Sequence, residues 1–236
     1  MAEPVLMNEM GEQTLFARIL ESSPDENLHS LARAGAGSFQ ESFLNGRLKR
    51  CLDIAVVLLC APLAVVLVGL AAVAIKLSSP GPVFFIQERL GRNAVPFPCY
   101  KLRTMVVGAE QDKPQWAAAS DPRVTWVGRW LRRCRLDELP QLYNVWRGEM
   151  SFVGVRPIRE HFARILAAKE PRYYLRFLAK PGLTGWDQVH NGYPCTLEGQ
   201  LRKFRFDLYY LKNASLWLDL YILGSTLKVM LRCQGH

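Results

Sequence analysis

Two adjacent carboxylates, Asp137 and Glu138, follow a run of arginines in the middle of the chain. Pro140 is tolerated in the first turn of a helix but not in its interior, so a helix is predicted to begin near residues 136–138. Free N–H groups and the positive end of the helix dipole gather there and favour a phosphate. With arginines nearby, we expect the pKa of Asp137 to lie below its ordinary value, as suits a nucleophile or a metal ligand. The same residues are also consistent with an ordinary acidic helix N-terminus that has basic neighbours.

Other basic residues are spaced in ways that suit phosphate binding. Arg132 and Arg133 precede the carboxylate pair, and Arg156 is restrained in direction by the proline that follows it, which favours bidentate contact. Lys101 and Arg103 alternate with apolar residues, so both are predicted to point from one face of a strand. Arg156 also fits an ordinary position in a surface loop.

Several familiar binding motifs are absent from the sequence. The glycine-rich turn at 181–186 could flank a base or cap a core, but the chain has no P-loop and no dinucleotide-binding fingerprint. The four histidines lack metal-ligand spacing. Six cysteines without a C-x-x-C pair fit a reducing, cytoplasmic compartment.

The overall composition indicates one compact domain with a polyanionic partner. The chain has 236 residues, of which 50% are hydrophobic, so a sizeable core is expected and wholesale disorder is excluded. A formal net charge of +9 suits nucleic acid, anionic lipid head groups or phosphorylated substrates. Composition does not choose among these three.

An uncharged run from Ile54 to Ile75 is long enough to cross a ~30 Å hydrocarbon core as a helix. Basic residues flank both ends, whereas positive charge prefers the cytoplasmic side of a membrane. Pro62 weakens the helix ladder and favours a kink. We therefore predict a re-entrant helix that bends near Pro62 and returns to the same face. A spanning helix and the buried helix of a soluble domain are the alternatives.

The remaining pattern predicts an α+β fold that is mainly helical with a small β-hairpin. The hairpin is formed by 83–89 and 97–105, and helices are predicted around 124–135, 139–145, 159–169 and 197–211. The apolar segment 215–231 belongs either to the core or to the membrane interface. Three regions are predicted: a mobile extension at 1–45 with a short helix near 14–20 and no signal peptide, the membrane helix at 46–78, and a folded domain at 79–236.

Together these segments resemble the bacterial sugar transferase family, the monotopic phosphoglycosyltransferases, from about Arg47 to the C-terminus. The blocks that carry the resemblance are 49–53, 79–85, 87–91, 100–105, 121–125, 136–142, 147–157 and 181–186. The multi-span N-terminal region of the family's long members is absent, so the chain looks like the short, catalytic-only form.

The resemblance implies a two-step transfer that begins an exopolysaccharide or a related glycoconjugate. Asp137 would attack the β-phosphate of a UDP-sugar and expel UMP, and polyprenol (undecaprenyl) phosphate would then accept the sugar phosphate from the aspartyl intermediate. Glu138, with Asp137, would hold Mg²⁺, and Arg156 would lie near the phosphate. Nucleotide contacts would come from the loop residues Gly182, Thr184, Trp186 and Gln188.

The implied setting is the cytoplasmic face of the bacterial inner membrane, with a monotopic attachment through the broken helix and interfacial helices. The implied partners are a UDP-sugar, polyprenol phosphate and membrane lipid, with no nucleic acid and with a homo-oligomer left open. A nucleic-acid-binding protein would explain the charge but not the apolar run. A non-catalytic membrane scaffold would explain the run but not the carboxylate pair among arginines.

Three departures from the family pattern bear on these expectations. Ala61-Pro62 replaces the frequent Ser-Pro, and Val155 replaces the first proline of a Pro-Arg-Pro turn, which loosens the restraint on Arg156. The segment 187–193 reads Asp-Gln-Val-His-Asn-Gly-Tyr where the family has Ala-Gln-Val-Asn-Gly-Arg. The missing arginine weakens the transfer of nucleotide-binding roles to this loop.

Overall fold

The computed structural model describes residues 40–109, 121–190 and 196–231. Nearly all of the predicted N-terminal extension, including the helix near 14–20, lies outside the described residues. In chain order the helices are α1 (Glu41–Leu44), α2 (Arg47–Ser78), α3 (Trp126–Arg133), α4 (Leu142–Arg147), α5 (Glu160–Lys169), α6 (Trp186–His190), α7 (Leu197–Asn213) and α8 (Leu216–Leu231). Short 3₁₀ helices occupy Arg92–Ala94, Leu136–Gln141 and Pro171–Leu178. The mainly helical α+β prediction is confirmed.

The predicted hairpin is present, and a second small sheet accompanies it. Strand β1 (Phe84–Leu90) pairs antiparallel with β2 (Pro96–Leu102), in a register from Phe84 opposite Leu102 to Leu90 opposite Pro96. Strand β3 (Ser151–Val153) pairs in parallel with β4 (Gly182–Thr184), which the sequence pattern did not predict. A Cβ atom at Gly182 would overlap the backbone of Gly154, so glycine permits the close approach of these strands.

Helix α2 is long and apolar enough to cross a membrane, by length and composition. It continues through Pro62 to Ser78, so the predicted bend and return remain a prediction. One stripe of the helix is buried: Lys49, Asp53, Val57, Ala64, Ala71 and Ile75. The opposite side is open, with Leu59 81% and Leu77 84% exposed. The helix therefore packs one face on the protein and leaves an apolar face uncovered, which is typical of a surface that contacts a membrane or another protein.

Both halves of α2 pack against the rest of the protein. Near the middle, Val57 and Ala64 join a core with Phe97 and Cys99 of β2, Leu142 and Val145 of α4, and Met150. Near the end, Ala71 and Ile75 join a core with Leu102, Val127 and Leu131. These contacts hold α2 beside the hairpin and the 3₁₀ helix Leu136–Gln141, which carries the carboxylate pair.

The basic residues at the start of α2 contact the protein itself. Lys49 is buried and forms an ion pair with Asp219 of α8. Arg50 donates hydrogen bonds of 2.6 Å to the carbonyl oxygens of Val145 and Trp146, at the C-terminal end of α4. The interpretation of Lys49 and Arg50 as positive charges flanking a membrane is therefore incomplete, because both side chains are engaged within the fold.

Helix α8 combines the two alternatives that its sequence left open. Asp219 and Ile222 are fully buried, and Ile222 packs in a core with Val153 and Tyr210. On the other side Trp217 is 80% exposed and Tyr221 is 57% exposed. One face of the helix thus belongs to the core, and the other presents aromatic residues of the kind favoured at a membrane interface.

Candidate active site

The carboxylate pair lies at the start of a short helix, as Pro140 predicted. The 3₁₀ helix begins at Leu136, directly after Arg135, whose backbone has a left-handed φ of 56°. Proline is accommodated because the helix is a single short 3₁₀ segment that continues into α4 at Leu142. Asp137 and Glu138 are 9% and 7% exposed, so both carboxylates lie inside the protein beside the hairpin.

Two cations from separate parts of the chain hold the Glu138 carboxylate. Lys101 of β2 places its Nζ 3.0 Å from Oε1. Arg156, in the loop after β3, donates from Nη2 to Oε1 at 2.6 Å and from Nη1 to Oε2 at 3.4 Å. Burial alone would raise the pKa of Glu138, but Arg156 and Lys101 hold it well below its ordinary value. Glu138 is therefore ionised at neutral pH.

The environment of Asp137 differs sharply from that of its neighbour. Among the described residues, no donor forms a hydrogen bond or ion pair with its carboxylate. Burial and the negative charge of Glu138 raise the pKa of Asp137 above its ordinary value. The expected low pKa is therefore wrong. Lys101, Arg132 and Arg156 lower the pKa of Asp137, but their charges only partly offset burial, and Lys101 and Arg156 are bound to Glu138.

The basic residues proposed from sequence as phosphate ligands fall into two groups. Lys101 and Arg156 meet at the carboxylate pair. Arg103 is buried beyond the end of β2 and donates to the carbonyl oxygens of Ser79 and Pro80, so it holds the turn after α2. Lys101 and Arg103 were predicted to point from one face of the strand, but they contact different partners. Arg132 donates from Nε to the Thr104 hydroxyl at 2.9 Å, and Arg133 is exposed.

The loop residues proposed for nucleotide contact are mostly part of the fold. Gly182 and Thr184 lie in β4, and the Thr184 hydroxyl is 2.7 Å from that of Thr226 in α8. Gln188 is buried. Trp186 is half-buried and stacks on Tyr209 with ring centroids 5.1 Å apart. Nucleotide binding by this loop stays a prediction, with the Trp186 ring as its aromatic surface.

The sequence did not reveal two buried residues that hydrogen-bond to the backbone of segments forming the site. Asn144 is fully buried, accepts from the Tyr100 N–H at 3.2 Å and donates to the Pro98 carbonyl at 2.7 Å, so it fastens β2 to α4. Arg176 is also buried and donates from Nη2 to the main-chain carbonyl of Arg156 at 2.7 Å. No local pattern reveals either contact, because each joins segments that are distant in sequence.

The site has two carboxylates that a divalent cation could use. Mg²⁺ is usually held by one or two carboxylates together with substrate phosphates, so a larger ligand set is not required. No group of three or more His, Cys, Asp or Glu residues suited to a metal occurs in the described ranges. Asp137 fits such an ion, because its carboxylate is not committed to a described cation. Glu138 fits less well, because Lys101 and Arg156 contact both of its oxygens.

The described part of the chain combines a buried carboxylate pair, contacted by Lys101 and Arg156, with a helix long and apolar enough to cross a membrane. Residues 44–233 match the bacterial sugar transferase family, and the chain belongs to that family. The match covers α2, the hairpin and the carboxylate pair, so the resemblance found in the sequence is confirmed.

Similar proteins support this assignment. The chain is 41% identical over 195 residues to the UDP-N-acetylgalactosamine-undecaprenyl-phosphate N-acetylgalactosaminephosphotransferase of Aeromonas hydrophila, covering 83% of this chain and 46% of the relative. It is 44% identical to the UDP-glucose:undecaprenyl-phosphate glucose-1-phosphate transferase of Caulobacter vibrioides, covering 78% of this chain and 69% of the relative. An uncharacterized sugar transferase of Bacillus subtilis is 38% identical, with 89% of its length covered. The chain thus spans about half the length of the Aeromonas relative.

Proposed function

We propose that this protein transfers a sugar 1-phosphate from a UDP-sugar to polyprenol phosphate, releasing UMP and starting the synthesis of a surface glycan. The observation that carries the proposal is the contrast between two adjacent carboxylates: Glu138 is neutralised by Lys101 and Arg156, and Asp137 is left uncommitted. The relatives' names support the class of acceptor and differ in the sugar, which is N-acetylgalactosamine, glucose or galactose.

In the first step, a carboxylate oxygen of Asp137 attacks the β-phosphorus of the UDP-sugar. The bond from that phosphorus to the oxygen bridging the two phosphates breaks, and UMP leaves with the bridging oxygen. A sugar phosphate remains joined to Asp137 as an acyl phosphate. Arg156 and Lys101 stabilise the charge that develops on the phosphoryl oxygens, since positioning and electrostatics are the main catalytic needs of phosphoryl transfer.

In the second step, a phosphate oxygen of the polyprenol phosphate attacks the same phosphorus and displaces the Asp137 carboxylate. The product is a polyprenyl diphosphate sugar, and the enzyme returns to its starting state. When bound, Mg²⁺ would supply further neutralisation of the phosphate charges. Asp137 would hold the ion together with the substrate phosphates. Glu138 would become a second ligand if Lys101 or Arg156 moved away from its carboxylate.

The acceptor requires the site to lie at the membrane, and we propose attachment to its cytoplasmic face without a full crossing. Both ends of α2 contact the same globular domain, through Lys49 with Asp219 at one end and Ile75 with Leu102 and Leu131 at the other. A helix held at both ends by one domain favours a position within one side of the bilayer. The exposed tryptophans Trp126 and Trp130 on α3 are suited to the head-group region.

The test is mass spectrometry of purified enzyme in detergent mixed with a panel of UDP-sugars and no lipid acceptor. One UDP-sugar should release UMP in an amount equal to the enzyme and leave a sugar-phosphate adduct on the peptide that contains Asp137. Addition of undecaprenyl phosphate should remove the adduct and restore turnover. An adduct on another residue, or turnover without any adduct in rapid-quench samples, would reject the aspartyl intermediate.

A further inference from the structure

The backbone that carries Arg156 is held by contacts separate from its ion pair with Glu138. Val155 precedes Arg156 where a proline would have restrained the chain, so local sequence does little to aim this arginine. Val155 instead forms a bridge to Pro181, and the carbonyl of Arg156 accepts a hydrogen bond of 2.7 Å from Arg176. The arginine of the site is thus fixed at its main chain by a second, buried arginine.

Arg176 is built into the fold by several partners. It is 3% exposed and lies in the 3₁₀ helix Pro171–Leu178. Its Nη2 lies 3.1 Å from the carboxylate of Asp207 on α7, whose side chain is 4% exposed. Its Nη1 donates to the Tyr173 hydroxyl, and the guanidinium lies 4.7 Å from the centroid of that ring. A guanidinium has five N–H donors in a rigid fork, so it can serve Asp207 and the Arg156 carbonyl together.

A second buried pair lies beside the first. Lys203 of α7 lies 2.9 Å from the carboxylate of Asp187 in α6. The main-chain carbonyl of the next residue, Gln188, accepts a hydrogen bond of 3.5 Å from Arg135, which immediately precedes the 3₁₀ helix of the carboxylate pair. We name these four charged residues the buried charge cluster: Arg176, Asp207, Lys203 and Asp187. The cluster is therefore linked to the backbone of Arg156 through Arg176, and to Arg135 through the residue that follows Asp187.

Stability alone is a weak explanation for such a cluster. Buried ion pairs often contribute no more than well-packed apolar residues would, because desolvation offsets the attraction between the charges. The cost is visible at Asp207, where burial raises the pKa to about 6 against the opposing charges of Arg176 and Lys203. A contact that fixes an active-site backbone gives these charges a function beyond stability.

We propose that Arg176, held by Asp207, is a positioning residue that fixes the main chain at Arg156 and so directs the Arg156 guanidinium at the reacting phosphate. The inference rests on the proposed function. Displacement of a catalytic group by about 1 Å can cost about 10²-fold in rate. Loss of the Arg176 hydrogen bond should therefore lower the rate through Arg156 and not through the nucleophile.

The test is a double-mutant cycle on UMP release. Arg176→Lys keeps the charge beside Asp207 but replaces the planar fork with a shorter ammonium that is not placed to reach the Arg156 carbonyl in the same geometry, and it should lower kcat/KM by about 10- to 100-fold. In the Arg156→Ala background the same change should lower kcat/KM by less than about threefold, because the group being positioned is gone. Single-turnover adduct formation, followed by mass spectrometry, extends the measurement to slow variants.

Controls separate the possible outcomes. Arg172→Lys makes the same change in the same 3₁₀ helix at an exposed pair with Glu170, and should leave kcat/KM unchanged. Should Arg176→Lys fail to fold, as judged by thermal unfolding, Asp207→Asn takes its place in the cycle. Equal losses in the wild-type and Arg156→Ala backgrounds, or full activity of Arg176→Lys, would overturn the inference. Absence of UMP release by the wild-type protein with every UDP-sugar would instead overturn the proposed function.

Discussion

Arg156 lies 2.6 Å from Glu138, a residue 18 positions earlier in the chain, and this ion pair joins the loop after β3 to the helix of the carboxylate pair. Lys101 completes the neutralisation of Glu138 from β2. As a result, two adjacent carboxylates are shifted in opposite directions: the pKa of Glu138 is lowered, and that of Asp137 is raised by burial and by the charge of Glu138. Carboxylates with divergent pKa values are suited to different roles.

Asp137→Asn should abolish the proposed nucleophile while preserving shape. UMP release should fall by at least about 10³-fold, because removal of a nucleophile leaves only binding and electrostatic stabilisation. Glu138→Gln should lower the rate less and should still form the adduct. Glu160→Gln, at an exposed pair with Arg164, is the control and should be fully active. Rapid turnover by Asp137→Asn would end the assignment.

The rate should depend on pH through Asp137. A raised pKa keeps Asp137 protonated at pH values where an ordinary aspartate is ionised, so kcat/KM should rise with pH through that pKa and level off above it. Glu138→Gln removes a negative neighbour and should move the rise to lower pH. Lys101→Met removes a positive neighbour and should move it to higher pH. Profiles that do not shift in these two variants would contradict the electrostatic coupling.

Arg156 should act through its shape as well as its charge. Arg156→Lys retains the charge but loses the planar fork that contacts both oxygens of Glu138, so kcat should fall by about 10-fold or more. Arg164→Lys makes the same change at an exposed pair and should have no effect. Steady-state assays of UMP release measure both. Near wild-type activity of Arg156→Ala would return this arginine to an ordinary loop position.

The topology of α2 can be measured by cysteine labelling in a background without native cysteines. Asn45→Cys and Pro80→Cys lie just outside the two ends of the helix, and both should be labelled from the cytoplasm. Reaction of either with a reagent confined to the periplasm would establish a spanning helix instead. Pro62→Ala restores a helix hydrogen bond and should shift the protein towards spanning, seen as periplasmic labelling at one end.

Divalent cations should be required for activity. EDTA should abolish UMP release, and added Mg²⁺ should restore it, since a hard cation neutralises the phosphates that meet at the site. The Mg²⁺ affinity of each variant can be measured by calorimetry. Glu138→Gln should weaken Mg²⁺ binding less than Asp137→Asn does. Undiminished activity in EDTA would remove the metal from the mechanism.

Local sequence determined much of the architecture, because the relevant signals act over a few residues. Pro140 placed the start of the helix at Leu136, and the uncharged run from Ile54 to Ile75 produced α2. The turn at Gly91 separated the two hairpin strands. The short parallel pair of β3 and β4 escaped notice because three residues are too few to establish a period.

The tertiary structure alone decided the electrostatics of the site. The sequence showed arginines beside Asp137 and so predicted a low pKa. In the fold, however, Arg132 donates to the Thr104 hydroxyl, and the cations Arg156 and Lys101 pair with Glu138 instead of Asp137. A pKa depends on burial and on distances of a few ångströms, which neighbours in sequence do not specify. For the same reason Arg176 became visible only when the fold brought its guanidinium to the carbonyl of Arg156.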